Sequence, residues 1–539
     1  MSRKAVNKKL SIQVRMGTVH TWAGLILSGL IFAIFWAGTL SVFDKEIDRW
    51  MMPDTRINLT KVTSSLSVDK DIIQPLSEQQ NAAAYWTIVL PRERIPYVIK
   101  AASYKKPRRH VRKYFHPVTL ASLTNANRPN ASNFIYPFHH NLTLRKDDLG
   151  AWLVGGASIA MLCLLVSGIV IHRRIFTDFF SLRLFRKFSR ANLDMHNLTG
   201  VVLLPFTLVI TLSGLIILQQ VYFPQSISRV YQQAISVENG NKTANEKDAQ
   251  RLFSAKVLGH IRESASGEKG HFSSIEQMIL KAELDWGEGS VYLVRVNHPG
   301  DTNSSVVFRR HSDDSVTKSN DHKRFNTMTG EPKGSFTGSQ AVGIWNFISG
   351  IHYIQFDHWP LRWLYFFAGL GSCLLIATGL LHWTTASNKN YLTPPLNVAL
   401  MSVHNIAVIT GVIAATGVFL LTNRVRDISP YLDTIMGDKA EIYAFFSVWL
   451  LSLLHALLSV LRDRSYGYLR AWAQQSGFIA VVAVCAVILN WVGTGDSLIK
   501  TVFTDTYWPV AATDLVLLIA AASAFWASVK LRAHYQERF

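Results

Sequence analysis

Four histidines stand where imidazole could serve electron transfer. His20 opens one apolar run and His196 opens another. Each is followed four residues later by a glycine, Gly24 and Gly200, and eighteen residues later by a second, Gly38 and Gly214. Four residues make about one helical turn and eighteen make five, so every one of these glycines falls near the face of its histidine. His139 and His352 form the other pair. Each closes a short echo, Asn133-Phe134-Ile135 and Asn346-Phe347-Ile348, and each stands just ahead of an apolar run. Two histidines at equal depth on neighbouring helices can fill both axial positions of a haem iron held without covalent attachment, which suits electron transfer and closes the iron to small ligands. Glycine below a ligating histidine leaves room for a flat macrocycle, although small residues also let membrane helices pack closely with no cofactor.

The elements that must position these residues are membrane helices. Hydrophobic residues make up 49% of the 539 and cluster in blocks. A hydrocarbon layer about 30 Å thick needs roughly 20 apolar residues in a helix. Eight segments meet or approach that length: 20–43, 149–171, 197–219, 361–381, 404–422, 441–461, 477–493 and 508–529. The first runs into Phe43-Asp44-Lys45-Glu46 without a small-residue cleavage site, so it reads as an anchor and not a signal peptide. Basic residues mark the cytoplasmic flank of short loops. Arg3, Lys4, Lys8, Lys9 and Arg15 precede the first run, and Arg173, Arg174, Arg183, Arg186, Lys187 and Arg190 separate the second and third. Arg462, Arg464 and Arg470 follow the sixth, and Lys530, Arg532 and Arg538 follow the eighth. All four groups lie on one side, which predicts a multi-pass protein of the bacterial inner membrane with both termini cytoplasmic. On this reading His20 and His196 share the inner depth, and His139 and His352 the outer.

The resulting fold class is an all-α membrane helix bundle of about eight spans with two small outward α+β modules. Its divisions fall at 1–43 (N-terminus and first span), 44–138 (first module), 139–220 (second and third spans), 221–345 (second module), 346–385 (fourth span) and 386–539 (a four-helix extension). The first module carries β-rich runs at Tyr85–Leu90 and Tyr97–Ala101. Its basic run, Lys105–Lys113, reads as a solvated edge or, if functional, as an attractor of anions. The second module repeats the plan with a helix at Glu276–Leu284 and strands at Ser290–Val296 and Ser305–Arg309.

Other histidines compete for iron. His140 adjoins His139 and is a reserve for it; His172 and His382 end the second and fourth runs, and would clamp both haems between those two helices alone. His404 begins the fifth run as His20 and His196 begin theirs, but it has no obvious mate, and neither has His455. His358 could line the outer haem's edge, and His116, His260, His271, His298, His311 and His322 read as solvated. Cys163, Cys373 and Cys485 fall inside helices as small buried residues, with no CxxC pair and no CxxCH attachment. No HExxH, Walker loop or strand-to-helix GxGxxG occurs, and no nucleophile signature stands out. The net charge of +19 sits largely in membrane flanks, where lipid accounts for it and nucleic acid is not needed.

Several motifs in order resemble the PepSY-associated transmembrane family over about residues 10–385. They are the His-x3-Gly starts at His20 and His196, His139-His140-Asn141-Leu142 leading to Gly150–Gly155, the His352 copy, and the pairs Ser167-Gly168 and Thr378-Gly379. Pro117-Val118-Thr119 and Asn326–Gly330 resemble the strand-turn of PepSY modules. Members of that family include haem-containing siderophore-iron reductases. The resemblance implies two haem b groups, on His20 with His196 and on His139 with His352. It also implies a membrane ferric (siderophore) reductase that passes electrons from quinol or a cytoplasmic flavoprotein to a periplasmic ferric siderophore or other iron chelate, releasing Fe(II). The alternatives are a haem-free regulator of a peptidase or sensor, which would use the PepSY-like modules, and a solute permease, which would need paired intramembrane charges or broken helices.

Overall fold

Long apolar stretches free of breakers become long helices, and the computed structural model contains them where the hydropathy pattern places them. It describes residues 12–59, 66–79, 83–105, 109–123, 128–172, 188–238, 245–260, 263–388, 393–428, 430–505 and 507–537. The first span is Ile12–Ser41 and the second Leu149–Ile171. The third is a bent pair, Phe188–Val202 and Leu204–Ile217, meeting at 62°. Pro205 accounts for the bend, because it offers no N–H to the carbonyl four residues back and its ring crowds that carbonyl. The fourth span is Trp359–Asn388, and the fifth runs Leu396–Ile428 through a π-helical turn at Ala407–Gly411. Ala440–Arg462, Gly467–Thr494 and Trp508–Gln536 complete the eight. The chain is therefore a multi-pass membrane protein with a helical bundle. Of the basic flanks, Arg3 to Lys9, Arg173 to Lys187 and Arg538 lie outside the described residues.

The chain divides into two compact units. The helical unit holds residues up to Met51, Pro129–Leu215 and Trp359 onward; the sheet unit holds Met52–Arg128 and Ile216–His358. These units divide the chain after Met51, Arg128, Leu215 and His358, where the expected divisions began or ended at 44, 138, 221 and 345. Asp44–Met51 is a short amphipathic helix that buries Glu46, Asp48, Arg49, Trp50 and Met51 within the helical unit. The Asn-Phe-Ile copies are also separate from the spans they precede. Tyr136–Asn141 ends at Leu142 and Gln340–Tyr353 ends at Ile354, both in the left-handed conformation that stops a helix.

In the sheet unit the two expected modules share one sheet. Its strands are β1 (Tyr85–Val89), β2 (Val98–Tyr104), β3 (Arg109–Phe115), β4 (Val291–Asn297), β5 (Ser305–Arg310), β6 (His322–Asn326) and β7 (Pro332–Phe336). The spatial order is β3-β2-β1-β4-β5-β6-β7, antiparallel throughout. β1 from the first half pairs with β4 from the second, Tyr85 opposite Asn297 and Val89 opposite Leu293. Each half would otherwise leave an open edge with unpaired backbone groups, and joining the two removes both. Trp86, Ile88, Val294, Val296, Val306, Phe308 and Phe325 alternate onto one face, which packs against Ile275, Met278, Ile279 and Ala282 of the Ile275–Trp286 helix and Ile72 of the Val68–Ile73 turn. The charged β3 is an outer edge, which blunts edge-to-edge pairing; Lys106, Pro107 and Arg108 of its basic run lie outside the described residues.

Within the helical unit the last four spans are bound to the first by buried polar contacts. Trp36 Nε1 donates to Thr416 Oγ1 at 2.9 Å, and Trp50 Nε1 to Asp514 Oδ1 at 2.7 Å. Asn490 donates to the same Asp514 carboxylate at 3.3 Å, and Arg424 donates to the Met51 carbonyl. Arg426 pairs with Glu441 at 2.7 Å with both side chains almost wholly buried. Phe134 stacks on Phe419 with ring centres 5.0 Å apart. The extension is thus part of one packed unit and not an appended bundle. Cys373 is buried but Cys163 is exposed and Cys485 half-buried, so burial as small residues describes one cysteine of the three.

Candidate functional site

Three of the histidines are held in the same way, by a backbone carbonyl and a glycine four residues on. His20 Nδ1 lies 3.1 Å from the Leu164 carbonyl and 3.0 Å from Ser167 Oγ, with Gly168 beside its ring. His196 Nδ1 lies 2.8 Å from the Leu375 carbonyl, with Gly379 beside it. His139 Nδ1 lies 2.9 Å from the Ile34 carbonyl, with Gly38 beside it. A Cβ on Gly38 would come within 2.7 Å of the His139 ring and one on Gly379 within 2.9 Å of the His196 ring; on Gly168 it would only touch His20, at 3.5 Å. A helix surface normally keeps a neighbouring ring away from its carbonyls by the Cβ of the next turn. Glycine at that turn opens the approach.

The Ser/Thr-Gly pairs gain a physical reason from this arrangement. Ser167 Oγ donates to the Leu164 carbonyl at 3.0 Å, and Thr378 Oγ1 to the Leu375 carbonyl at 3.1 Å, so each hydroxyl borders the carbonyl that receives the histidine. The third span has the same order, Ile210, Ser213 and Gly214, with Ser213 Oγ donating to the Ile210 carbonyl at 3.1 Å. Gly38, eighteen residues after His20, therefore makes room for His139 from another helix and not for a ligand of His20. That role was illegible in the spacing alone, because the carbonyl acceptor has no signature in the side chains.

His20 and His196 face each other across the bundle, with ring centres 6.3 Å apart and planes at 78°. Because a carbonyl only accepts, each Nδ1 carries the proton that it donates, and each Nε2 is left with its lone pair. An iron at about 2 Å from each of two such nitrogens, with about 1 Å more from nitrogen to ring centre, would separate the centres by about 6 Å. Around the pair lies a cavity of about 460 Å³. Gly24, Gly200, Met161, Leu165, Leu204 and Ile376 give it an apolar wall. The donor set, the carbonyl support and the apolar volume all fit a haem held by His20 and His196.

The remaining candidates divide. His172, the residue that ends the second span, and His382 line the same cavity, so the structure gathers four histidines around it where sequence spacing had assigned two. His382 is turned toward Ser189, its Nδ1 2.8 Å from the Ser189 carbonyl. His140 lies edge-on to Tyr136 on its own short helix. His404 touches the opposite face of the first span from His20: a Cβ on Gly29, nine residues after His20, would lie 2.8 Å from His404 Nε2. His455 bonds Gln474 and Gln475 of the seventh span. His352 stands in the last turn of Gln340–Tyr353, in the sheet unit, and His358 ends that unit. His322, expected to be solvated, is 3% exposed, and both its nitrogens lie 3.0 Å from carbonyls, of Asn320 and Gly259. Among the described residues no three His, Cys, Asp or Glu side chains converge as a bare metal ion would require.

Residues 18–386 match the family described as PepSY-associated TM region, and the chain belongs to that family. A curated relative, Uncharacterized protein PA4219 of Pseudomonas aeruginosa, is 26% identical over 289 residues, which cover 49% of this chain and 66% of that protein. The match thus spans just under two thirds of the relative's length.

Proposed function

We propose that this PepSY-associated TM protein is a b-type haem protein that moves electrons across the membrane to a ferric chelate such as a ferric siderophore. The observation that supports it is the His20–His196 pair, 6.3 Å between ring centres, with each Nδ1 committed to a carbonyl. Haem bound there would supply one-electron chemistry at a potential set by its axial ligands and burial. The chain's own residues do the rest. The Leu164 and Leu375 carbonyls fix the tautomer and the ring direction, Gly168 and Gly379 admit the rings, and the apolar wall excludes water. A second haem is expected from the resemblance, with His139 among its ligands. His139 has the same carbonyl support as the inner pair.

With basic flanks on the cytoplasmic side, His20 and His196 serve a quinol or flavoprotein donor and the sheet unit faces the periplasm. Reduction suits iron release, because hard oxygen donors hold Fe(III) better than the softer Fe(II). A reduced-minus-oxidised spectrum of the purified protein with a haem count tests the reading. Two b-type haems are expected, with His20→Ala and His139→Ala each removing a different one. A protein purified without any b-type signal sinks the proposal, and loss on His172→Ala or His382→Ala moves the ligands to the other histidines.

A further inference from the structure

One face of the seven-stranded sheet is apolar and covered by helices; the other carries cations. Arg295 stands opposite Val307, which stands opposite Arg324, and two residues along β5 Arg309 stands opposite His322. Paired residues share a face, as do residues two apart on a strand, so Arg295, Arg309, Arg324 and His322 all project away from the core residues Val294, Phe308 and Phe325. Lys318 belongs to the loop between β5 and β6, with Nζ 4.8 Å from the centre of the Tyr353 ring. Arg295 lies 3.9 Å over the Tyr85 ring, and Arg309 donates to His260 Nε2 at 2.7 Å.

The β5–β6 loop carries three carboxylates, Asp313, Asp314 and Asp321, and Asp313 is taken up by Arg92 at 2.6 Å. Arg324 has Glu263 at 3.7 Å, and Lys333 shares that carboxylate at 3.4 Å. Among the described residues no carboxylate pairs with Arg295, Arg309 or Lys318, and Arg295 Nε has no hydrogen-bond partner. The charges also feel one another. Burial chiefly, and the Arg309 charge in addition, hold Lys318 below its ordinary pKa, and the same two causes act on Arg295. Half-buried cations crowded in this way are unfavourable until an anion neutralises them.

We propose that this face binds a polyanionic oxygen chelate of a metal, of the polycarboxylate kind, through Arg295, Arg309 and Lys318. Two planar guanidinium forks match carboxylate oxygens in pairs, and Lys318 adds a point charge. The charged edge strand β3, with Arg109, Arg112 and Lys113, adds to the positive field that would draw such a ligand in. The inference rests on the acceptor reading above and deepens it by fixing the acceptor's charge.

The test uses the full-length protein in phosphatidylcholine nanodiscs, titrated calorimetrically with gallium(III) citrate. Gallium is not reduced, so binding is read without electron transfer. Wild type binds at low salt and weakens as salt rises. Arg309→Gln with Lys318→Gln weakens binding about tenfold, as loss of close charge contacts does, and the neutral gallium tris-maltolate complex binds neither protein. Lys318→Gln alone, on a loop, loses a few-fold and keeps the proposal testable should the double variant misfold. Equal citrate affinity in wild type and variants, or equal affinity for the neutral complex, overturns the proposal. A variant that differs from wild type only in binding phosphatidylglycerol vesicles makes the face a lipid contact and overturns it too. Citrate binding by a protein that shows no haem would remove the reductase reading and leave the anion site standing.

Discussion

At the residue scale, the glycine seats decide which histidines can reach a carbonyl. Gly379→Val would place a branched side chain where the His196 ring now lies, at 2.9 Å from Cε1. Overpacking of this kind costs about 1–3 kcal/mol, and one haem equivalent should disappear from the purified variant's pyridine haemochrome assay. Gly156→Ala should keep both, since it does not line the cavity and a Cβ there meets nothing within 4 Å. His322 sets a pH dependence of its own. Two carbonyl acceptors favour its doubly protonated form, but burial first, with the Arg309 and Arg324 charges also opposing the imidazolium, lowers its pKa from 6.5. The unfolded chain then takes up the proton first, so stability is full above about pH 6.5 and falls as pH drops toward the folded-state value. Thermal unfolding of the sheet unit's signal should shift down between pH 7.5 and pH 5, and His322→Asn should shrink that shift. The histidines themselves were legible in sequence as polar residues bordering apolar runs. Their supports were not, because backbone carbonyls leave no mark on composition.

Among the elements, the short helix Asp44–Met51 and the start of the fourth span are locked by Arg362 and Glu46. The pair is 3.1 Å apart with both side chains buried, and Arg362 also donates to the Val42 carbonyl. Removing one member of a buried pair strands the other charge, at a cost of about 3–5 kcal/mol. Arg362→Met should therefore lower the melting temperature of the detergent-solubilised protein, and adding Glu46→Leu should recover much of the loss. A double variant no more stable than the single one would show that Arg362 acts through the Val42 carbonyl and the Phe43 and Trp359 rings beneath it. The spans were readable from uninterrupted apolar length; the 62° bend of the third was not expected, although Pro205 accounts for it. The breaks at Leu142 and Ile354 were not, since neither leucine nor isoleucine favours the left-handed conformation and only the tertiary structure holds it there.

At the scale of the whole molecule, the last four spans are bound into the helical unit through Thr416, Arg424 and Asp514. Residues 1–392 and 393–539 produced as separate chains should copurify and together keep the haem content of the intact protein; recovery of the first piece alone with full haem would show that the contacts are dispensable. Nothing in the sequence joined Trp50 to Asp514 or β1 to β4, because those contacts bridge hundreds of residues and depend on three-dimensional closure. The pairing of β1 with β4 has a genealogical consequence. Within residues 12–388 each copy owns one sheet edge, β1 or β4, and one imidazole of the facing pair, His20 or His196. Within the sheet unit the two joined edges are complementary, so an ancestor carrying one such edge could pair with a second copy of itself across the ladder. Gene duplication and fusion would then free the two copies to diverge, and Gln340–Tyr353 against the six-residue Tyr136–Asn141 is the kind of inequality that such freedom permits.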